Sequence, residues 1–187
     1  MHMDKVYLFI ADGFEEIEGL TVVDLLRRAN IEITMVSITG NRKITGSHQI
    51  VIQADEIFEN IDFRDATLLV LPGGMPGAKS LLKHEGLDTL LKAHNAKGKA
   101  LAAICAAPMV LGEKGLLKGK KATCFPGFEK NLIGAQIVEA DVVVDGNITT
   151  SKGMGTAMDF GLTLIKNLKG KEEAAKIAGA IQYQYYK

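Results

Sequence analysis

Cys105 stands in the run Ala102-Ala103-Ile104-Cys105-Ala106-Ala107-Pro108, where an apolar, strand-like stretch passes into a helix with no room for a relaxed loop. A residue at such a corner is forced into a sharp turn that exposes its side chain, as in a nucleophile elbow. The small neighbours Ala103, Ala106 and Ala107 suit the crowding, and Pro108 suits a first helical turn, where its missing donor costs nothing. Free N–H groups at the helix start would favour a thiolate, the reactive form of cysteine. The plain alternative is a buried structural cysteine, which is what most free cysteines are.

Glu18 is the natural partner. In a helix over residues 15–29, Glu18, Val22, Leu25 and Ala29 share one face, and every member after the glutamate is apolar. The face through Ile17, Thr21, Asp24 and Arg28 is the more polar one. A lone ionised carboxylate heading an apolar stripe is costly, so burial should raise its pKa, and a nearby thiolate would raise it further. A protonated Glu18 could donate to the Cys105 sulfur, and the two groups would titrate as a pair. Glu15 and Glu16 read more simply, as acids favoured by the helix dipole in a first turn, with Glu15 in a supporting role. A third element, Pro72-Gly73-Gly74-Met75-Pro76-Gly77, follows a strand. Its glycines would let backbone approach a ligand and aim N–H groups at a developing oxyanion, although Gly-Gly beside Pro is also a plain turn signal.

The elements that must position these loops alternate in type. Apolar runs at 5–11, 32–38, 68–71 and 100–104 have strand length and no polar face, as strands buried on both sides do. Between and after them lie helical stretches at 15–29, 78–96 (broken near 84–86), 107–114, 156–168 and 172–181. Residues 41–53 read as a hairpin, and short strands are expected at 121–124, 142–145 and 147–150. Met154, Met158, Leu162 and Ile165 fall at spacings of four and three and are expected to form a buried stripe. The expected fold is α/β: a flavodoxin-like three-layer α/β/α sandwich with a mostly parallel sheet, one domain over residues 1–187. In such a sheet a site lies beyond the carboxyl ends of the strands. That rule selects the loops 12–18, 72–77 and 104–108, the same three that carry the candidate chemistry.

These three runs, Asp12-Gly13-Phe14-Glu15-Glu16-Ile17-Glu18, Leu71-Pro72-Gly73-Gly74-Met75-Pro76-Gly77-Ala78 and the Cys105 segment, resemble the signatures of the ThiJ/PfpI family, the group containing the Parkinsonism-associated deglycase and its bacterial relatives. Residues 150–157 resemble a fourth, and the likeness runs in order from about residue 6 to 168. The resemblance implies a flavodoxin-like homodimer with a reactive Cys105, its carboxyl partner on Glu18, and oxyanion or substrate contacts from the backbone of Gly74 and Ala106, with Gly73 beside them. It implies glyoxalase or deglycase activity without cofactors, or oxidative-stress sensing and chaperone activity at the same cysteine. The substrate would be a small aldehyde or dicarbonyl, or a glycated protein. Many members place a histidine where this chain has Phe125, so a Cys–His–acid triad is not expected.

Other features bound the alternatives. The 22 basic residues balance 22 acidic ones, which leaves no electrostatic footprint for nucleic acid. No apolar run approaches the roughly 18 residues of a membrane span, and no leader is evident. Two cysteines fit a reducing compartment, so a cytoplasmic location is expected. No grouping has metal-ligand spacing, so no metal is expected. His48 falls in the hairpin, as a surface turn or as a residue reaching the site across a dimer interface. His84 and His94 are expected to be solvated, Cys124 to pack, and Tyr183, Tyr185 and Tyr186 to form an aromatic tail against the body. Met1-His2-Met3 reads as an expression remnant.

Overall fold

A computed structural model describes residues 4–185 of the 187; Met1-His2-Met3 and Tyr186 lie outside them. The apolar run at the start becomes β1 (Lys5–Ile10), and α1 (Glu16–Arg28) carries the chain to β2 (Glu32–Ser37). A hairpin follows, β3 (Lys43–Thr45) with β4 (Val51–Gln53), then the short edge strand β5 (Glu56–Ile57). β6 (Leu68–Leu71) leads through the glycine loop into α2 (Gly77–Lys83) and α3 (Glu85–Ala96). β7 (Ala100–Ile104) runs into α4 (Pro108–Glu113). β8 (Lys121–Ala122) and β9 (Gln136–Ile137) make a small ribbon, and β10 (Val142–Asp145) turns back into β11 (Ile148–Ser151). The helices α5 (Ala157–Lys169) and α6 (Lys171–Ala180) follow.

The central sheet has the order β10-β11-β7-β6-β1-β2-β5, parallel throughout except for β10 against β11. Alternation along β1 shows why two helical layers are needed. Val6, Leu8 and Ile10 face a core built with α1, α5 and α6, whereas Tyr7 and Phe9 face one built with α2, α3 and α4. Each layer covers apolar surface that the pleat presents on its own side, which is the sandwich expected from the alternating runs.

Four local expectations are corrected. In the expected stripe only Leu162 and Ile165, on α5, are buried; Met154, in a 3-10 turn ahead of that helix, is 53% exposed and Met158 40%. The spacing of the stripe is right, but its first turn projects past the edge of the core. His94 is buried, because with Leu87 and Leu91 it occupies the inward face of α3. Loss of solvent pushes its imidazole down to about 4, so it packs as a neutral ring. His84 caps α3, its Nδ1 accepting the Leu87 N–H at 2.9 Å, and this sets the break in the helical stretch. β5 and β9, two residues each, carry no readable alternation. In the tail, Tyr183 donates to Asp159 at 2.8 Å while Tyr185 is 79% exposed. No helix among the described residues is long and apolar enough to cross a membrane.

Candidate active site

Cys105 follows β7 with φ 64°, a left-handed conformation that costs a non-glycine residue roughly 1–2 kcal/mol. Two backbone hydrogen bonds clamp the corner: Cys105 N–H donates to Ser151 O at 2.9 Å, and Phe125 N–H donates to Cys105 O at 2.8 Å. The elbow inferred from the missing loop is therefore present, and strand β11 and the Phe125 loop hold it. Strain at one position, over-determined by its surroundings, is a common mark of a functional site.

Glu18 is buried with Val22, Leu25 and Ala29, as the stripe on α1 requires. Its Oε2 accepts the Gly73 N–H at 2.8 Å, while Oε1 is buried with no hydrogen-bond partner among the described residues. Burial pushes the carboxyl up to about 7, against hydrogen bonds to Cys105 and Gly73 that act to lower it, with the Glu15 charge adding a small upward push. The thiol is pushed up to about 12, by burial first and by the Glu18 charge second; the N–H groups of Ala106 and Gly74 pull the other way. This corrects the simple expectation of a dipole-lowered thiol. The helix start contributes, but burial and a facing carboxylate outweigh it. Both upward pushes from Glu18 need its negative charge. A thiolate is thus favoured when Glu18 carries the proton, and the two groups share one negative charge near neutrality.

The glycine loop brings the parts together. A methyl group on Gly73 would lie 2.6 Å from Cys105 Cβ, 2.7 Å from Glu18 Oε2 and 3.0 Å from Cys105 Sγ. Gly73 therefore touches both members of the pair, and its N–H serves Glu18 rather than an oxyanion. Gly74, at φ 87°, packs against the backbone of Phe14 and Glu15, and Glu15 N–H donates to Gly73 O at 2.9 Å. The Gly74 and Ala106 N–H groups act on the Cys105 sulfur.

Phe125, in the place of the expected family histidine, is 47% exposed and its ring lies against Gly153. Ile17, Met75, Phe125, Met154 and Met158 form an apolar set, all exposed, on the segments that flank the site. Cys124 is buried and its thiol is pushed up to about 11, mainly by burial, as a packing residue's would be. Grooves of about 490 and 750 Å³ open at the other end of the strands, beside Ala100, Asn167 and Leu168, and do not include Cys105. The grooves and the Cys105–Glu18 pair lie at opposite ends of the strands, and a strained, ionisable pair is the stronger candidate for a site than an open groove.

Glu16 is what the sequence reading missed. It is buried rather than a solvated first-turn acid: Oε1 accepts the His48 N–H at 2.8 Å and Oε2 lies 3.0 Å from His48 Nδ1. Burial alone would raise its carboxyl, but its backbone and His48 hydrogen bonds override that and hold it near 2. Glu15, Glu16 and His48 bring ligand atoms within 4.8 Å of one another, the one such grouping among the described residues. Their hydrogen bonds to each other and to Ser47 account for the arrangement. Because the folded value lies below the ordinary 4.5, this stabilisation is present above pH 4.5 and lost as pH falls toward 2. Glu16→Gln is expected to cost about 2 kcal/mol at pH 7, discounted for the exposed imidazole, and much less at pH 2.5. Urea unfolding at both pH values checks it; an equal loss at both would refute the electrostatic account.

A strained cysteine paired with a buried carboxyl beneath a double-glycine loop defines a cysteine-centred site on a flavodoxin-like sheet. The chain belongs to the DJ-1/PfpI family, whose model matches residues 4–167. It is 38% identical over 179 residues to DJ-1 homolog B of Arabidopsis thaliana, covering 95% of this chain and 41% of that protein. It is 31% identical over 167 residues to a deglycase of Pyrococcus abyssi, covering 88% and 99%. The structure of oxidized Toxoplasma gondii DJ-1 superposes with a TM-score of 0.93 at 37% identity, covering 97% of this chain and all of that one. The chain spans less than half the length of the two Arabidopsis homologues, 41% and 46%.

Proposed function

We propose that this chain is a cofactor-independent cysteine enzyme that acts on reactive dicarbonyls, of glyoxalase or protein-deglycase type. The observation that carries the reading is the buried Glu18 carboxyl, held beside Cys105 and poised near neutrality. The Cys105 sulfur adds to the aldehyde carbon of methylglyoxal, and the proton held on Glu18 passes to the new alkoxide, giving a hemithioacetal. Gly74 and Ala106 N–H groups steady the developing oxyanion. The resulting Glu18 carboxylate takes the proton from the former aldehyde carbon and returns it to the neighbouring carbon through an enediol. The product is a lactoyl thioester, and water releases lactate and the thiol. No redox equivalent enters or leaves, so the sequence balances without a cofactor. A deglycase named among the relatives supports the substrate class. The exposed Ile17, Met75, Phe125, Met154 and Met158 support a homodimer closing over this face.

A second reading rests on Phe125. With no imidazole at that position, the pair also suits an oxidative-stress-responsive protein or redox-regulated chaperone, in which peroxide oxidises Cys105 toward a sulfinate that protonated Glu18 stabilises. An oxidized DJ-1 among the similar structures is in keeping with it. Lactate production from methylglyoxal, compared with Cys105→Ser, separates the two. The enzyme reading expects turnover in the wild type that falls below detection in the variant. Turnover that survives in Cys105→Ser removes the cysteine from the mechanism, and none in either protein leaves the redox reading.

A further inference from the structure

The hairpin tip at residues 46–50 sits on the first turn of α1, within two contacts of the reactive pair. Gly13 N–H donates to Thr45 O at 2.8 Å and Ser47 N–H to Phe14 O at 2.9 Å. Ser47 Oγ donates to Glu15 Oε2 at 3.2 Å. His48 Nδ1 lies 3.0 Å from Glu16 Oε2 and 3.5 Å from Glu15 Oε1, although two-thirds of its own side chain is exposed. Glu15, in turn, is joined to the glycine loop through its N–H on Gly73 O. A line of contacts therefore runs from an exposed imidazole, through Glu15, to the loop that holds Glu18 and Cys105.

We propose that His48 is a positioning residue for the Cys105–Glu18 pair, its imidazolium offsetting the charge of Glu15, which caps α1 one helical turn before Glu18, and so setting how readily the pair gives up its first proton. It rests on reading Cys105 and Glu18 as the reactive pair. The charged groups that act on His48 are Glu16 and Glu15, and both hold its proton on above the ordinary histidine value. Those that act on Glu18 are Cys105 and Glu15. A bare Glu15 carboxylate keeps the proton on Glu18, and a cation opposite Glu15 weakens that hold. His48 thus does part of the work at the rim that a fixed cation would do, with the difference that it switches off as pH rises.

The test is the pH dependence of iodoacetamide alkylation of Cys105 at low ionic strength, with Cys105→Ser reporting the background from Cys124. The rate rises as the pair loses its first proton, so its midpoint reads the pair without any dicarbonyl turnover. Failure of the dicarbonyl reading and failure of this one are thereby separate results. His48→Gln is expected to raise the midpoint by roughly half a pH unit, and Glu15→Gln to lower it by a similar amount. His48→Arg should hold it at or below the wild-type value even if the uncharged variant loosens the hairpin. Added salt near 0.5 M should shrink these differences, because His48 is exposed. A common direction for His48→Gln and Glu15→Gln, an unmoved midpoint with only the rate changed, or a raised midpoint in His48→Arg would each overturn the proposal.

Discussion

Glu18→Gln is expected to remove dicarbonyl turnover and to make the folded protein more stable above neutral pH. Both effects come from one feature, a carboxyl kept beside a thiol with little water to solvate its charge. Its folded value of about 7 lies above the ordinary 4.5, so the folded state holds a proton that the unfolded chain releases. The favourable contribution is complete below pH 4.5 and is lost as pH rises through 7; above that the folded state carries the cost of a buried carboxylate. The shift corresponds to about 3 kcal/mol at most, and water reaching the half-open cysteine reduces it to about 2 kcal/mol. Glutamine keeps the acceptor for Gly73 N–H, carries no charge to bury and has no proton to transfer. Thermal melts at pH 8 should therefore show Glu18→Gln above wild type by roughly 4–8 °C, with the difference closing toward pH 4.5. Lactate formation should be lost at every pH. A variant no more stable at pH 8 would mean that the carboxyl is solvated in the folded protein. One that retained turnover would take Glu18 out of the proton path.

That Glu18 and Cys105 were legible in the sequence has a local cause in each case. A carboxylate at the head of Val22, Leu25 and Ala29 contradicts its own helix face, and a strand that meets a helix without a loop leaves one residue at the corner. Both signals lie within a few residues of the group concerned. The sheet was legible for the same reason, since β1, β6 and β7 are apolar on both faces along nearly their whole length. Glu16 was not, because its burial depends on a hairpin some thirty residues away. Gly46 leaves space for its carboxylate, and a methyl group there would lie 2.1 Å from Oε1. Met154 and Met158 show the reverse failure. Helical spacing says which residues share a face but not where the neighbouring layer stops, and here it stops one turn short. For His94 the spacing from Leu87 and Leu91 did hold the answer, and its polar side chain argued against it. The contradictions that marked the site and those that misled are of one kind, polar groups on apolar faces. What separates them is whether a second reactive group meets the first, which only the three-dimensional arrangement of the loops decides.

Gly73→Ala should have the second large effect, and it is a purely steric one. The backbone at Gly73 is not left-handed, so alanine is acceptable to the chain there, unlike at Gly74 with φ 87°. The added methyl would nevertheless meet Cys105 Cβ at 2.6 Å and Glu18 Oε2 at 2.7 Å. Neither can swing away cheaply. Cys105 Cβ is fixed by an elbow that two backbone hydrogen bonds clamp, and Glu18 is walled in by its apolar stripe. The glycine loop cannot retreat either, because Glu15 N–H holds Gly73 O and Gly77 packs against the backbone of Phe14. Something in the pair must shift by several tenths of an ångström. Overpacking of this sort costs about 1–3 kcal/mol, and a displacement approaching 1 Å at reacting groups costs about 100-fold in rate. The expected result is a destabilised but folded protein whose lactate production and Cys105 alkylation both fall by about two orders of magnitude. Gly155→Ala is the control, since nothing lies within 4 Å of its added methyl and its backbone is ordinary. Wild-type alkylation in Gly73→Ala would show that the loop yields freely, and the close fit among Gly73, Glu18 and Cys105 would then not be what holds the pair together.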